Sequence, residues 1–246
     1  MPFLRREPPA SAKEEPAAAG GDQIDARRVL QELWKRWRDA PTLEYRSEAR
    51  ISHRGEFALT VKTHAALRRP NLARIVFSSN EWAEASRVRV SNGRTLYDRQ
   101  TGKSLARPRT LRMGFRGRVT ADIPHPLDEA GYSVDQFFSP TPFLPRGPWG
   151  TGQGDPEVSG TLVAAPAPFK GKAYRVVIEK GVARDVLHLD ALTYAPLLLT
   201  RRGDHAGMVQ DLLRETFHEF GLGTLSVTPT LFAWTADDER GVVRDR

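Results

Sequence analysis

Thr42-Leu43-Glu44-Tyr45-Arg46-Ser47-Glu48-Ala49-Arg50-Ile51 is apolar or small at every odd position and polar or charged at every even one. Successive side chains leave a pleated backbone on opposite sides, so a period of two predicts a strand with one dry and one wet face. His53-Arg54-Gly55 predicts a hairpin, after which Phe57, Leu59 and Val61 resume the alternation. Further short strands are expected over Leu72–Ser78, Arg87–Ser91, Thr95–Tyr97 and Lys103–Leu105, with Asn92-Gly93 as a hairpin turn. Together they predict an antiparallel meander.

Upstream of the meander the period changes. Val29, Leu33 and Trp37 fall at i, i+4 and i+8, flanked by Leu30 and Trp34, which predicts a helix over Asp25–Asp39 with Asp22 or Asp25 as its cap. Downstream, Pro126–Phe138 reads as a short helix, and residues 139–156 as a long Pro- and Gly-rich loop carrying Phe143, Leu144 and Trp149. A second strand series is expected at Val158–Ala164, Ala173–Glu179, Val186–Leu192, Pro196–Arg202, Val209–His218 and Leu231–Thr235. Strands dominate, so the fold class is β-rich α+β. Residues 1–21, rich in Pro, Ala, Gly and Glu, are expected to be a disordered tether, and residues 22–246 a single domain.

Composition narrows the function classes. Hydrophobic residues make up 39% of the chain and charged residues 27%, and no stretch approaches the roughly 18 apolar residues of a membrane span. The absence of cysteine excludes disulfides, thiolate metal sites and a cysteine nucleophile. Met1–Gly21 lacks the apolar core of a signal peptide, so a periplasmic or other extracytoplasmic location would require an export or anchor segment outside these residues. The net charge of +7 is spread along the chain and interleaved with acids, which reads as a solvated mixed surface rather than a nucleic-acid footprint. No nucleic-acid partner is expected.

Three segments carry a resemblance: Leu67-Arg68-Arg69-Pro70-Asn71-Leu72, Ser91-Asn92-Gly93-Arg94-Thr95-Leu96-Tyr97, and Leu231-Phe232-Ala233-Trp234-Thr235. In order and spacing the chain resembles, over roughly Asp25 to Val243, the LolA-like family of periplasmic lipoprotein carriers and related lipoprotein-sorting and DUF2092-type proteins. The resemblance implies a curved antiparallel sheet forming an incomplete half β-barrel, with lid helices on its concave face. It also implies a non-enzymatic monomer that binds lipid or a lipidated protein, needs no cofactor, and meets membrane-associated partner proteins. Arg69, in the Arg-Pro-Asn match, would take the lid-closing role. Ala236-Asp237-Asp238 departs from the family, which often has a proline pair there.

A cavity for acyl chains needs apolar side chains on one face, since each buried CH₂ contributes about 0.8 kcal/mol without any directional bond. The candidates are Tyr45, Phe57, Leu59, Val61, Ile75, Phe77, Val88, Val90 and Leu96 on the strands, with Trp34 and Trp37 covering them from the first helix. The alternative for each is an ordinary core under that helix.

Other chemistry finds little support. The six histidines lie in different elements and no G-x-S-x-G is present. His188 and Asp190 share a strand face but lack a third ligand, so they read as a surface pair. Residues 150–154, Gly-Thr-Gly-Gln-Gly, sit among prolines and read as a flexible loop. Arg112, Phe115, Arg116 and Arg118 mix basic and aromatic residues and read as a strand edge. The main rival function is a tethered sensor or regulatory module of the same fold that binds a protein partner.

Overall fold

The computed structural model describes residues 21–53, 56–68, 72–79, 87–100, 109–114, 157–205, 208–223 and 229–240. The chain runs β1 (Asp22–Gln23), α1 (Ala26–Asp39), β2 (Thr42–His53), β3 (Glu56–Arg68), β4 (Leu72–Ser78), β5 (Arg87–Asn92), β6 (Thr95–Gln100) and β7 (Arg109–Gly114). It continues through β8 (Glu157–Ala164), β9 (Lys172–Lys180), β10 (Ala183–Asp190), β11 (Pro196–His205) and β12 (Met208–Leu222), a 3-10 turn (Pro229–Phe232) and α2 (Ala236–Arg240).

All twelve strands form one antiparallel sheet in the order β1-β8-β9-β10-β11-β12-β2-β3-β4-β5-β6-β7. Two meanders, β2–β7 and β8–β12, are joined where β12 pairs with β2, with Glu215 opposite Ala49 and Leu222 opposite Leu43. The sheet is open and curved, and its two ends, β1 and β7, do not meet. This is the β-rich α+β architecture that the alternation and the resemblance both imply.

The local reasons are visible. Asp25 caps α1, its side chain accepting a hydrogen bond from Arg28 N at 3.1 Å. Ala26, Val29, Leu30 and Leu33, one helical stripe, are buried against the sheet. The hairpin at Asn92-Gly93 forms as expected. Gly93 takes a φ of 90°, and Asn92 Oδ1 accepts from Arg94 N at 3.0 Å and Thr95 N at 2.9 Å.

Two expected strands end differently. β10 stops at Asp190, because the Asp190 carboxylate accepts from Leu192 N, Thr193 N and Thr193 Oγ1 and turns the chain, leaving Leu192 86% exposed. Leu231–Thr235 is not a strand. Pro229–Phe232 forms a 3-10 turn, and Thr235 then caps α2: Asp238 N donates to Thr235 Oγ1 at 3.2 Å while Asp238 Oδ2 accepts from Thr235 N at 2.9 Å. This reciprocal capping box makes the Asp237-Asp238 departure a helix start. The expected strand at Lys103–Leu105, the helix at Pro126–Phe138, the loop at 139–156 and Phe115, Arg116 and Arg118 all lie outside the described residues.

Candidate functional site

Residues directly opposite each other in the ladder share a face, so the register divides the side chains into two sets. From β2, Leu43, Tyr45, Ser47, Ala49 and Ile51 point to the side on which α1 lies, the inner face. Their partners continue it: Ala65, Thr63, Val61 and Leu59 on β3, then Ile75 and Phe77 on β4. In the other meander the same face carries Phe217, Glu215 and Leu213 on β12, Leu199 and Arg201 on β11, Leu187 and Asp185 on β10, and Val176 and Ile178 on β9. The apolar members form one continuous core cluster with α1.

The helix lies toward one end of this face and packs against β8 and β9. A backbone feature sets its closeness. A Cβ on Gly160 of β8 would stand 2.9 Å from the Ala26 Cβ, nearer than real Cβ atoms come, so the start of α1 rests on bare backbone. At the other end of α1, Arg36 lies over the Tyr194 ring at 4.3 Å and donates to Thr193 O at 3.3 Å, tying the helix to the β10–β11 turn.

Of the sequence candidates, Tyr45, Val61, Ile75 and Phe77 are buried together on the inner face, and Leu59 packs against them half-buried. Val88 and Val90 correct the expectation of a single face. Ile75 lies opposite Arg89, which places that β5 arginine at an inner position and the β5 valines on the outer face. There Val88 and Val90 join Val76 under Trp234, which stacks on Tyr97 with ring centroids 5.1 Å apart. Arg74 holds this cover by donating from both terminal nitrogens to the carboxylate of Asp238. An apolar strand residue can thus be buried on either side of this sheet, which periodicity within one strand does not decide. Leu96 lies opposite Ser91 in the ladder; its side chain, those of Phe57, Trp34 and Trp37, and the whole of Arg69 lie outside the described residues.

The inner face is not wholly apolar. Thr63, Ser47, Glu215, Arg201 and Asp185, one on each of five neighbouring strands from β3 to β10, form a polar row across it, and each is at most 3% exposed. Arg201 donates to Asp185 from Nε at 2.8 Å and from Nη2 at 2.9 Å, a two-pronged pair buried on both sides. Burial pushes the Asp185 carboxyl upward, and the Arg201 guanidinium opposes that with its charge and hydrogen bonds. Ser47 Oγ donates to Glu215 Oε1 at 2.6 Å. Burial raises the Glu215 carboxyl to about 7, against the pull of Ser47 and Arg201, so near neutrality it is a mixture of acid and carboxylate. Glu215 Oε2 and Thr63 Oγ1 are buried without a hydrogen-bond partner, an arrangement that costs about 1–3 kcal/mol per atom.

The row was missed in the sequence, although its signal was present. Asp185 shares parity with Leu187 and Leu189, Arg201 with Leu197 and Leu199, and Glu215 with Leu213 and Phe217. Arg89, Arg99 and Asp238 are buried as well, whereas Arg46–Glu219 at 3.3 Å and His64–Glu44 at 3.0 Å are part-exposed surface pairs. His188 and Asp190 are not the surface pair expected. His188 is buried, and hydrogen bonds from Thr193 and Leu192 outweigh burial and hold the Asp190 carboxyl below its ordinary range. Among the described residues no group of three His, Cys, Asp or Glu could hold a metal, and no helix is long and apolar enough to cross a membrane.

No family model matches the chain, and no curated protein matches its sequence. Solved structures do resemble it. The MucB chain in the Pseudomonas aeruginosa MucA/MucB complex is 15% identical, the match covering 86% of this chain and 62% of that one, with a TM-score of 0.43. LprF from Mycobacterium bovis is 12% identical, covering 85% of this chain and 99% of that one, with a TM-score of 0.38. A putative outer membrane lipoprotein-sorting protein domain from Vibrio parahaemolyticus is 8% identical, covering 84% of this chain and 95% of that one, with a TM-score of 0.29.

Proposed function

We propose that the chain is a non-enzymatic binding protein that holds acyl chains of a lipid or lipidated protein on the inner face of its sheet. The observation that carries this reading is one apolar face, continuous across the sheet from β9 to β4, with α1 seated toward its β8 end. α1 packs against β8 and β9, whereas inward apolar side chains continue over six further strands, from β10 to β4. At about 4.8 Å per strand this extra face is about 29 Å wide. One acyl chain reaches half of a bilayer core that is about 30 Å thick, about 15 Å, so about three strands would accommodate its length.

Release constrains the mechanism. A chain of about 16 carbons fully buried would gain on the order of 12 kcal/mol, too much for ready transfer. The protein's own side chains compete for the same face: Tyr45, Val61 and Phe77 are already buried, and a ligand must displace what covers them. Net affinity is then the difference between two burials. Lipid exchange of this kind belongs outside the cytoplasm, where lipidated proteins are sorted, which is the location we assign.

The test is to express residues 22–246, purify them without detergent, and combine solvent extraction and lipid mass spectrometry with quenching of tryptophan fluorescence by an acyl probe. Stoichiometric lipid, or saturable quenching abolished in Phe77→Asp and Leu59→Asp, is the expected result. Absence of both in a folded wild-type monomer would overturn it. A second reading, a regulatory module that binds a protein partner, draws on Leu192, an exposed apolar side chain fixed on the hydrogen-bonded Asp190 turn beside α1.

A further inference from the structure

Acyl burial requires no polar group, yet five buried ones cross the middle of the inner face. Their pairing is uneven. Asp185 and Arg201 engage each other through two hydrogen bonds and cancel in charge. Glu215 Oε1 accepts from Ser47, while Glu215 Oε2 and, two strands away on β3, Thr63 Oγ1 are buried without a partner. Two polar atoms aimed into an apolar face, on either side of an occupied hydrogen bond, are hydrogen-bonding capacity held for something that arrives.

We propose that this row is a subsite for the carbonyl end of an acyl ligand, an ester or amide linkage, with Glu215 as a neutral acid donating from Oε2 to the carbonyl oxygen and the Thr63 hydroxyl completing the contact. The inference rests on the acyl-binding reading above. Charge selects the ligand class. The row contains two carboxyl groups and one guanidinium, and the charges of Asp185 and Arg201 cancel, so a carboxylate or phosphate head group would enter a row with no net positive charge to attract it. A neutral carbonyl meets no such barrier, and burial, which favours the protonated acid at Glu215, supplies the donor it needs. An amide N–H, in turn, can donate to the Thr63 oxygen.

The experiment compares ligands of equal heavy-atom count in displacing a dansyl-labelled acyl probe from residues 22–246: methyl laurate, which carries an ester, and pentadecane, which does not, both delivered from cyclodextrin. In the wild type the ester is expected to displace the probe at about tenfold lower activity than the alkane, the equivalent of one or two hydrogen bonds. Glu215→Leu and Thr63→Val should erase that preference without changing the alkane value, and Glu215→Gln, whose amide still donates, should keep most of it. Equal displacement by ester and alkane in the wild type overturns the subsite and leaves the acyl reading standing. If neither ligand displaces the probe, acyl binding itself fails and the subsite with it. Because the wild-type comparison decides between these outcomes by itself, it holds even where a variant does not fold.

Discussion

Ser47 and Glu215 meet at 2.6 Å across 168 residues of chain, joining β2 to β12 where the two meanders pair. Because burial raises the Glu215 carboxyl to about 7 against the pull of Ser47, the burial of Glu215 at this seam makes stability depend on pH. The folded state holds the proton more tightly than the unfolded chain, whose carboxyl titrates near 4.5. The contribution of Glu215 to stability is therefore greatest below about pH 4.5, falls as pH rises through about 7, and levels off above that. A shift of this size corresponds to about 3 kcal/mol as an upper figure. Urea denaturation at a series of pH values between 5 and 8.5 should show that fall in the wild type and a flatter profile in Glu215→Gln. Equal slopes in both proteins would remove Glu215 from the account.

The Asp185–Arg201 pair invites a comparison of single and double replacement. Asp185→Ala leaves a guanidinium buried without its carboxylate and should cost about 3–5 kcal/mol. Asp185→Leu combined with Arg201→Met removes both charges and should cost much less, about 1 kcal/mol or below, because apolar side chains suit that face. Denaturation midpoints of the three proteins decide the matter. A double variant as unstable as the single one would show that the pair is worth more than its own desolvation.

On the outer face, Asp238 serves two elements, capping α2 through Thr235 and pairing with Arg74 on β4. Asp238→Ala should lower stability by about 2 kcal/mol, the sum of a lost cap and a half-buried ion pair. It should also loosen the Trp234–Tyr97 stack, which near-ultraviolet circular dichroism would register. An unchanged aromatic signal would mean that Trp234 keeps its place without Asp238.

Gly160 fixes how closely α1 approaches β8. Gly160→Ala brings two Cβ atoms to 2.9 Å and should destabilise by about 1–3 kcal/mol through overpacking. Adding Ala26→Gly relieves the clash, and the pair should recover part of the loss even though glycine within a helix costs about 1 kcal/mol. A double variant no better than the sum of the singles would place the strain elsewhere, most simply at Ile24, whose side-chain atoms stand 3.0 and 3.1 Å from the same added atom.

The helix cap at Asp25, the hairpin at Asn92-Gly93 and the strand β4, Leu72–Ser78, were legible because each depends on neighbours in sequence. The inner set of β2 was legible for the same reason. Assigning Val88 and Val90 required the register of β4 against β5, and that was not. Glu215, Arg201 and Asp185 became one site only once β12, β11 and β10 were laid side by side, although each broke the pattern of its own strand. Within one strand an inward charge looks like an error of phase; across three strands the same charges compensate one another.

The sheet order also bears on how the chain assembles. Every pairing inside β2–β7 or β8–β12 links strands consecutive in sequence, so each ribbon can grow hairpin by hairpin. The seam between β12 and β2 closes a loop of nearly the whole domain, and such closures come late because their entropy must be met before any contact rewards them. The slowest refolding phase is thus expected to be the joining of two preformed ribbons.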